Sequence, residues 1–383
     1  MTAREKMLAA FSPSGAPEVP ATICYEGIMV RDHWEEVTDR PWWFHHSYDL
    51  DEQMQWRRDL VARVPQDWIQ SPPCASREQR RIWRLDVRPG GVFWVNTRTG
   101  REQQLKRPAV SGWSEGRALH SHHPARLIET VAEINEQIPT PPDIDAHAFV
   151  EQGRDDLALQ IRKEFPDLCL LGGATSPLWQ CYGVWGFEGM MTMIADRPDL
   201  VEHACRRALP EELNRVRQDA ACGADAVWIE ECFTDMVSPD AFRRLNLPFI
   251  RAIADEVRAL GMKSVYYFCG NPAGKWDLLL DAGADALSLE ESKKGFDIDI
   301  EDVVNHVQGR CTVFGNLDAI NLLPNGTEAR LRAEIERQIA AGRCNGGRFI
   351  MGLGSPVTPE TPIERVRLYC EMAHEIGSRH GQG

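Results

Sequence analysis

From Ala146 onward, short apolar segments alternate with segments of helical spacing, and this alternation constrains the fold more than any other feature. The spacing predicts a helix over Ala146–Glu164 and a strand over Leu168–Gly172. A helical pair, Pro177–Ile194 and Leu200–Ala221, leads to a strand over Ala224–Glu230. Ser238 caps the next helix with Pro239 at its first position, and that helix runs to Leu260. Strand Lys263–Phe268, helix Gly274–Asp281 and strand Ala284–Leu289 follow. Helix Ile300–Val307, strand Cys311–Phe314, helix Glu328–Ala341 and strand Gly347–Met351 come next. Thr361-Pro362-Ile363-Glu364 reads as a capping box that opens a last helix ending at Gly377. Parallel neighbours need long crossovers, so this pattern implies a parallel sheet.

Before Ala146 the spacing predicts helix Ala3–Phe11, a first strand within Val19–Tyr25, helix Asp49–Val64 and a short strand Asp67–Gln70. Thr22–Tyr25, Asp67–Gln70 and the six later strands make eight. In 383 residues this fits a single-domain α/β protein, a (β/α)8 TIM barrel. A doubly wound sheet is the alternative, but Cys24-Tyr25-Glu26-Gly27 is not a glycine-rich phosphate loop. Arg81–Pro108 breaks the pattern. Its alternating residues and Pro89-Gly90-Gly91 turn predict an N-terminal antiparallel β-meander, an excursion from the main fold.

A net charge of -14 argues against a nucleic-acid or anionic-membrane surface, so neither is expected as a partner. The sequence reads as having no signal peptide and no apolar stretch of spanning length, and neither is expected. The 11 cysteines include no CxxC pair, and the expectation is a reduced, cytoplasmic protein. Tryptophans crowd the first half, at Trp42, Trp43, Trp56, Trp68, Trp83, Trp94 and Trp113. They line a pocket or simply pack irregular segments. His120, His122 and His123 cluster too, with no carboxylate or cysteine among them to complete a metal set.

In a barrel of this kind the chemistry sits at the C-terminal strand ends. Val265–Phe268 is an apolar, aromatic strand that stops at Cys269-Gly270-Asn271. The other strands end at Glu26, Gly173-Ala174-Thr175, Glu230-Glu231-Cys232, Glu290-Glu291-Ser292, Gly315-Asn316-Leu317-Asp318 and Gly352-Leu353-Gly354-Ser355. Carboxylates, thiols and small glycines end almost every strand. Acidic residues also cap following helices, but the set as a whole reads as a functional mouth.

Gly315-Asn316-Leu317-Asp318, Gly346-Gly347-Arg348-Phe349-Ile350 and Gly354-Ser355-Pro356 with Thr358–Pro362 resemble the uroporphyrinogen decarboxylase superfamily, as does the start Ala3–Ala10 with Val19-Pro20. The resemblance implies a (β/α)8 barrel and one of two activities. One branch decarboxylates a porphyrinogen without a cofactor. The other holds methyltransferases, often corrinoid-linked, many with a zinc that activates a thiol. The decarboxylase branch carries an arginine-rich segment after the first strand, where this chain has Arg31 alone in Glu26–Asp32. A polycarboxylated substrate would want more positive charge.

The resemblance therefore implies a methyltransferase of a corrinoid-dependent system. Its partners would be a small-molecule methyl donor or acceptor, with tetrahydrofolate a candidate carrier, and a separate corrinoid-binding protein. A cofactor-independent decarboxylase is the alternative, and a binding module that has lost its chemistry is the third reading. The methyltransferase branch places His-x-Cys-Gly after one strand and a second Cys near the last. Here those positions read Tyr267-x-Cys269-Gly270 and Ser355. Glu291 follows Cys269 by 22 residues, a spacing similar to that in related cobalamin-independent methionine synthases. A rearranged zinc set of Cys269, Glu291 and one of Cys232 or Glu231 is one implied reading. Loss of the zinc, with Cys269 a small buried residue, is the other. Tyr267, Glu291 and Glu231 are the catalytic candidates, with Glu291 expected to hold a proton tightly. Trp228, Asn271, Asn316 and Asp318 are the substrate-binding candidates.

Overall fold

The computed structural model describes residues 1–110, 123–292 and 295–378. Trp113, His120 and His122 lie outside the described residues. The strands are β1 (Trp68–Gln70), β2 (Trp83–Arg88), β3 (Gly91–Asn96), β4 (Glu102–Leu105), β5 (Cys169–Thr175), β6 (Ala226–Glu231), β7 (Lys263–Phe268), β8 (Ala286–Leu289), β9 (Thr312–Phe314) and β10 (Phe349–Ile350). Seven of them form one parallel sheet in the order β1-β5-β6-β7-β8-β9-β10. The other three, β2-β3-β4, form the antiparallel meander.

The parallel sheet is strongly curled. Trp68 on β1 stacks on Phe314 of β9 at 5.6 Å, and both rings meet Trp228 of β6, at 5.7 and 6.1 Å. In a flat sheet five strand intervals would separate β1 from β9 by about 24 Å. Only a concave sheet brings these rings together. Between β10 and β1 lies Ala21, bridged in parallel to Met351. Thr22 N donates to Met351 O and Asp67 N donates to Ala21 O, each at 2.8 Å. The arrangement is compatible with a TIM-like barrel.

The expected first strand, Thr22–Tyr25, does not form, and Ala21 is its remnant. Pro20 offers no N–H. The N–H groups of Ala21 and Ile23 are taken by the side chains of Asp67 and Gln66. Tyr25 then turns left-handed, at φ 55°, and helix Glu26–Asp32 starts at once. Three expected helices are also split. Pro177–Ile194 breaks at Cys181 into Pro177–Gln180 and Tyr182–Asp196. Ala146–Glu164 breaks into Ala146–Glu151 and Asp156–Glu164 around Gly153, whose φ of +69° ends a helix. The helix opened by Ser238 breaks at Asn246 into Pro239–Leu245 and Leu247–Ala259.

Helices cover the convex face of the sheet. Leu247–Ala259 buries Ile250, Ile253, Ala254 and Val257, which recur at i, i+3, i+4 and i+7. Helix Ala3–Ala10, capped by Thr2, lies across the N-terminal strand ends. Arg4 pairs with Asp225 and Lys6 with Asp67, both at 2.8 Å, while Thr312 Oγ1 donates to Ala10 O. That end is blocked, so a ligand must enter from the C-terminal ends. Among the described residues no helix is long and apolar enough to cross a membrane.

Candidate active site

The pleat decides which side chains face the concave interior, because alternate residues point to opposite faces. Trp228 and Tyr267 point in and stack on one another, with centroids 5.1 Å apart. Tyr25 meets both edge-on, at 6.1 and 5.4 Å. These rings form an aromatic floor. The register pairs Glu230 with Tyr267 and Tyr267 with Ser288. Continued one residue past the strands, it aligns Cys232, Cys269 and Glu290. Glu230, Cys232, Cys269 and Glu290 thus share the inward parity of the floor.

The electrostatics agree with this geometry. The neighbouring Cys269 thiol, then burial, then the charges of Glu230 and Glu290 push the Cys232 thiol well up. Burial first, then Cys269 and Glu290, does the same to the Tyr267 phenol. For Tyr25 the leading causes are burial and Glu230. Both phenols stay protonated. Glu230 and Glu290, named in the sequence only among the strand ends, are singled out by strand parity counted from Trp228 and Tyr267.

Glu231 takes the opposite face. Asn246 Nδ2 and Tyr266 Oη donate to its Oε2 at 2.7 and 3.1 Å, and Ser176 Oγ donates to Asn246 Oδ1 at 3.0 Å. This network lies between sheet and helices. Burial pushes the Glu231 carboxyl up to about 7. As a catalytic candidate Glu231 is therefore corrected: its carboxylate is built into the wall behind the mouth. The Tyr267 hydroxyl donates to Gly354 O at 3.0 Å. Glu291, 3% exposed, packs on the same glycine, where an added Cβ would lie 2.4 Å from its Oε2. Tyr267 and Glu291 thus converge on Gly354, while Glu290 is the carboxylate set beside the thiols.

The other candidates are mostly braces. Asn316 Nδ2 donates to Glu290 O and Ile298 O at 3.1 and 2.8 Å, which fixes the backbone that carries Glu290. Asp318 Oδ1 accepts from Ile320 N and Asn321 N and holds its own turn. Asn271 Oδ1 accepts from Ala273 N, and its N–H donates to Asp235 at 3.2 Å. Gly270 permits that approach. Its φ is +108°, and a Cβ would lie 2.3 Å from Asp235 Cγ.

Residues 126–376 match the family described as Uroporphyrinogen decarboxylase (URO-D). The chain belongs to the URO-D family. A uroporphyrinogen decarboxylase of Legionella pneumophila (strain Lens) is 24% identical over 263 residues, 66% of this chain and 70% of that protein. Its counterpart in Roseiflexus sp. (strain RS-1) is 32% identical over 160 residues, 41% of this chain and 44% of that protein. A solved structure, a methyltransferase from Methanosarcina mazei, superposes with a TM-score of 0.66 and covers 98% of this chain and 99% of its own, at 18% identity. At that identity the likeness is one of fold.

The zinc that the resemblance implied finds no matching set in this URO-D family member. Tyr267 donates a hydrogen bond from its hydroxyl to the Gly354 carbonyl, and Ser355 is a hard oxygen donor that suits a thiolate-activating zinc poorly. Among the described residues no group of three or more His, Cys, Asp and Glu side chains stands ready to hold a metal. The expected set of Cys269, Glu291 and Cys232 is therefore corrected to a pair of thiols, with Glu291 turned to Gly354.

Proposed function

We propose that this URO-D family member is a methyltransferase that moves a methyl group between a methylated small molecule, or tetrahydrofolate, and a separate corrinoid protein. We read the curled sheet as a (β/α)8 barrel whose first strand is reduced to Ala21. One observation carries the functional reading. The stacked Trp228–Tyr267 floor is rimmed by Glu230, Glu290 and the Cys232–Cys269 thiols. An acidic, aromatic mouth suits a neutral or cationic methylated molecule and repels a polycarboxylate. Arg31, the one arginine after the first strand position, gives Nε and Nη2 to Asp32 at 2.6 and 3.0 Å. The full-length likeness to a methyltransferase supports the same choice.

Methyl transfer is a displacement that needs the methyl carbon in line and the leaving heteroatom protonated. The corrinoid, when docked, supplies the cobalt centre that takes or gives the methyl group. The chain's own residues do the rest. The Trp228–Tyr267 floor orients the apolar body of the donor. Glu230, inward and half-buried, is the carboxyl placed to pass a proton to the leaving heteroatom. Asn316 fixes the backbone of Glu290, the second acid of the rim. The free state of all eleven cysteines fits a reducing, cytoplasmic setting.

The decarboxylase reading is favoured by the curated relatives, all of which bear that name among those described above. In it, Glu230 or Glu290 would be the proton donor to carbon. Cob(I)alamin has a distinct absorbance, so mixing it with the protein and candidate methyl donors separates the two. Loss of the cob(I)alamin spectrum with a methyl donor is expected. Release of CO2 from carboxylated substrates, with no methyl donor changing the spectrum, would overturn the methyltransferase reading.

A further inference from the structure

The half-buried tryptophans of the meander are not used by the mouth. A separate cleft of about 530 Å³ lies between β2–β3 and the start of helix Leu50–Arg63. Trp43, Tyr48, Trp83 and Trp94 line it. Leu85 pairs with Trp94 across the strands, so Trp83, two residues earlier, shares the face of Trp94. Their rings stand at 84° with centroids 6.5 Å apart, and Tyr48 lies 4.3 Å from Trp94. Trp43 belongs to the turn Trp42–His46. That turn is pinned by Gln53, whose Nε2 donates to Phe44 O, His45 O and Ser47 O at 2.8–2.9 Å. The aromatic walls are therefore held in place without a ligand.

The charge in this cleft has a sign. Asp49, Asp51 and Glu52 lie along one wall, against Arg80 and Arg84. Arg80 is already engaged by Asp156 in an ion pair. Asp49 caps the helix, its Oδ1 accepting from Asp51 N and Glu52 N, so Asp51 and Glu52 stand against Arg84, which has no ion pair among the described residues. Aromatic faces attract cations through the ring quadrupole, and nearby carboxylates add to that attraction. Several aromatic rings set at angles around a pocket, with acids on one wall, suit a cation whose charge is spread over methyl groups. A single open ring face would instead suit a sugar.

We propose that this cleft is a binding site for an organic cation bearing a methylated or quaternary ammonium group. The site is distinct from the barrel mouth and does not depend on the activity assigned there. Calorimetric titration of the full chain with choline tests it. The uncharged isostere 3,3-dimethylbutan-1-ol and a neutral methyl glucoside serve as controls.

Choline is expected to bind and both controls to fail. Trp94→Leu should weaken choline by about tenfold, the scale of one good cation–π contact. If Trp94→Leu does not fold, as judged by circular dichroism, the double variant Asp51→Asn with Glu52→Gln decides. It should weaken choline and flatten the salt dependence of binding. Glu230→Gln, in the mouth, should leave choline binding unchanged. The proposal is overturned if choline gives no heat, if a control binds as tightly as choline, or if both cleft variants bind like the wild type. It is also overturned if Glu230→Gln abolishes choline binding, which would put the cation in the mouth.

Discussion

Glu230 and Glu231 are neighbours in sequence, yet the pleat gives them opposite work. Glu230 faces the Trp228–Tyr267 floor, and Glu231 is walled in by Asn246 and Tyr266. Glu230→Gln is expected to lower the proposed methyl transfer by roughly 10²-fold, the scale of a lost general acid, with an unchanged urea midpoint. Glu231→Gln should do the reverse. Its folded-state carboxyl is raised to about 7 by burial, above its value in the unfolded chain. The stability it permits is therefore fully present below about pH 4.5 and is lost as pH rises toward 7, by roughly 3 kcal/mol at most. Glu26 and Asp219, also raised by burial to about 7, add to the same slope. Urea unfolding at pH 5 and pH 8 checks this. Glu231→Gln should lose less stability between the two than the wild type, and an identical loss would remove Glu231 from the account. Tyr267→Phe belongs at this scale too. The variant keeps the ring floor and loses only the bond to Gly354 O, so about 1–3 kcal/mol of stability should go while turnover is largely kept. A collapse of turnover without destabilisation would show that the hydroxyl acts on substrate.

At the scale of elements, legibility depended on whether the local sequence or a distant partner decided the conformation. Strand β7 is bounded in the sequence by Leu260-Gly261 and Cys269-Gly270, and Lys263–Phe268 was readable to the residue. The first strand was not, because its N–H groups go to Gln66 and Asp67, more than forty residues away. The split at Asn246 was also hidden. Nothing around Asn246 announces that its amide is needed by Glu231. Glu291 was chosen by spacing from Cys269, whereas the sheet register sets Glu290 beside that thiol. The Asn246 break has a measurable consequence. Asn246→Ala leaves the Glu231 carboxylate and the Ser176 hydroxyl short of a buried partner, at a cost of about 2–4 kcal/mol. The urea midpoint should fall with the slope unchanged. A midpoint within error of the wild type would show that the network does not hold the helix break in place.

At the scale of the whole molecule, one buried carboxylate ties together parts of the chain that are far apart in sequence. Asp67, just before β1, accepts from Ala21 N at 2.6 Å and pairs with Lys6 and with His374, each at 2.8 Å. It thereby joins the helix that blocks the N-terminal end, the residue that spans the interval between β10 and β1, and the last helix, Ile363–Ser378. Burial works to raise its carboxyl, but His374 and then Lys6 outweigh burial and hold it below the usual carboxylate range. The sign is opposite to that of Glu231. The stability from Asp67 is present above its unfolded-state pKa and is lost as pH falls through its lower folded value. Asp67→Asn can still accept from Ala21 but loses its charge toward Lys6 and His374 and leaves Lys6 without its partner. Breaking a buried pair costs about 3–5 kcal/mol, and the part-exposure of His374 and Lys6 argues for the lower end. The variant should unfold at clearly lower urea at pH 7, and its stability should fall less steeply in acid than that of the wild type. Equal midpoints at pH 7 would mean that the sheet curls and closes through its apolar interior alone, with Trp68, Trp228 and Phe314 sufficient to bring β1 against β9.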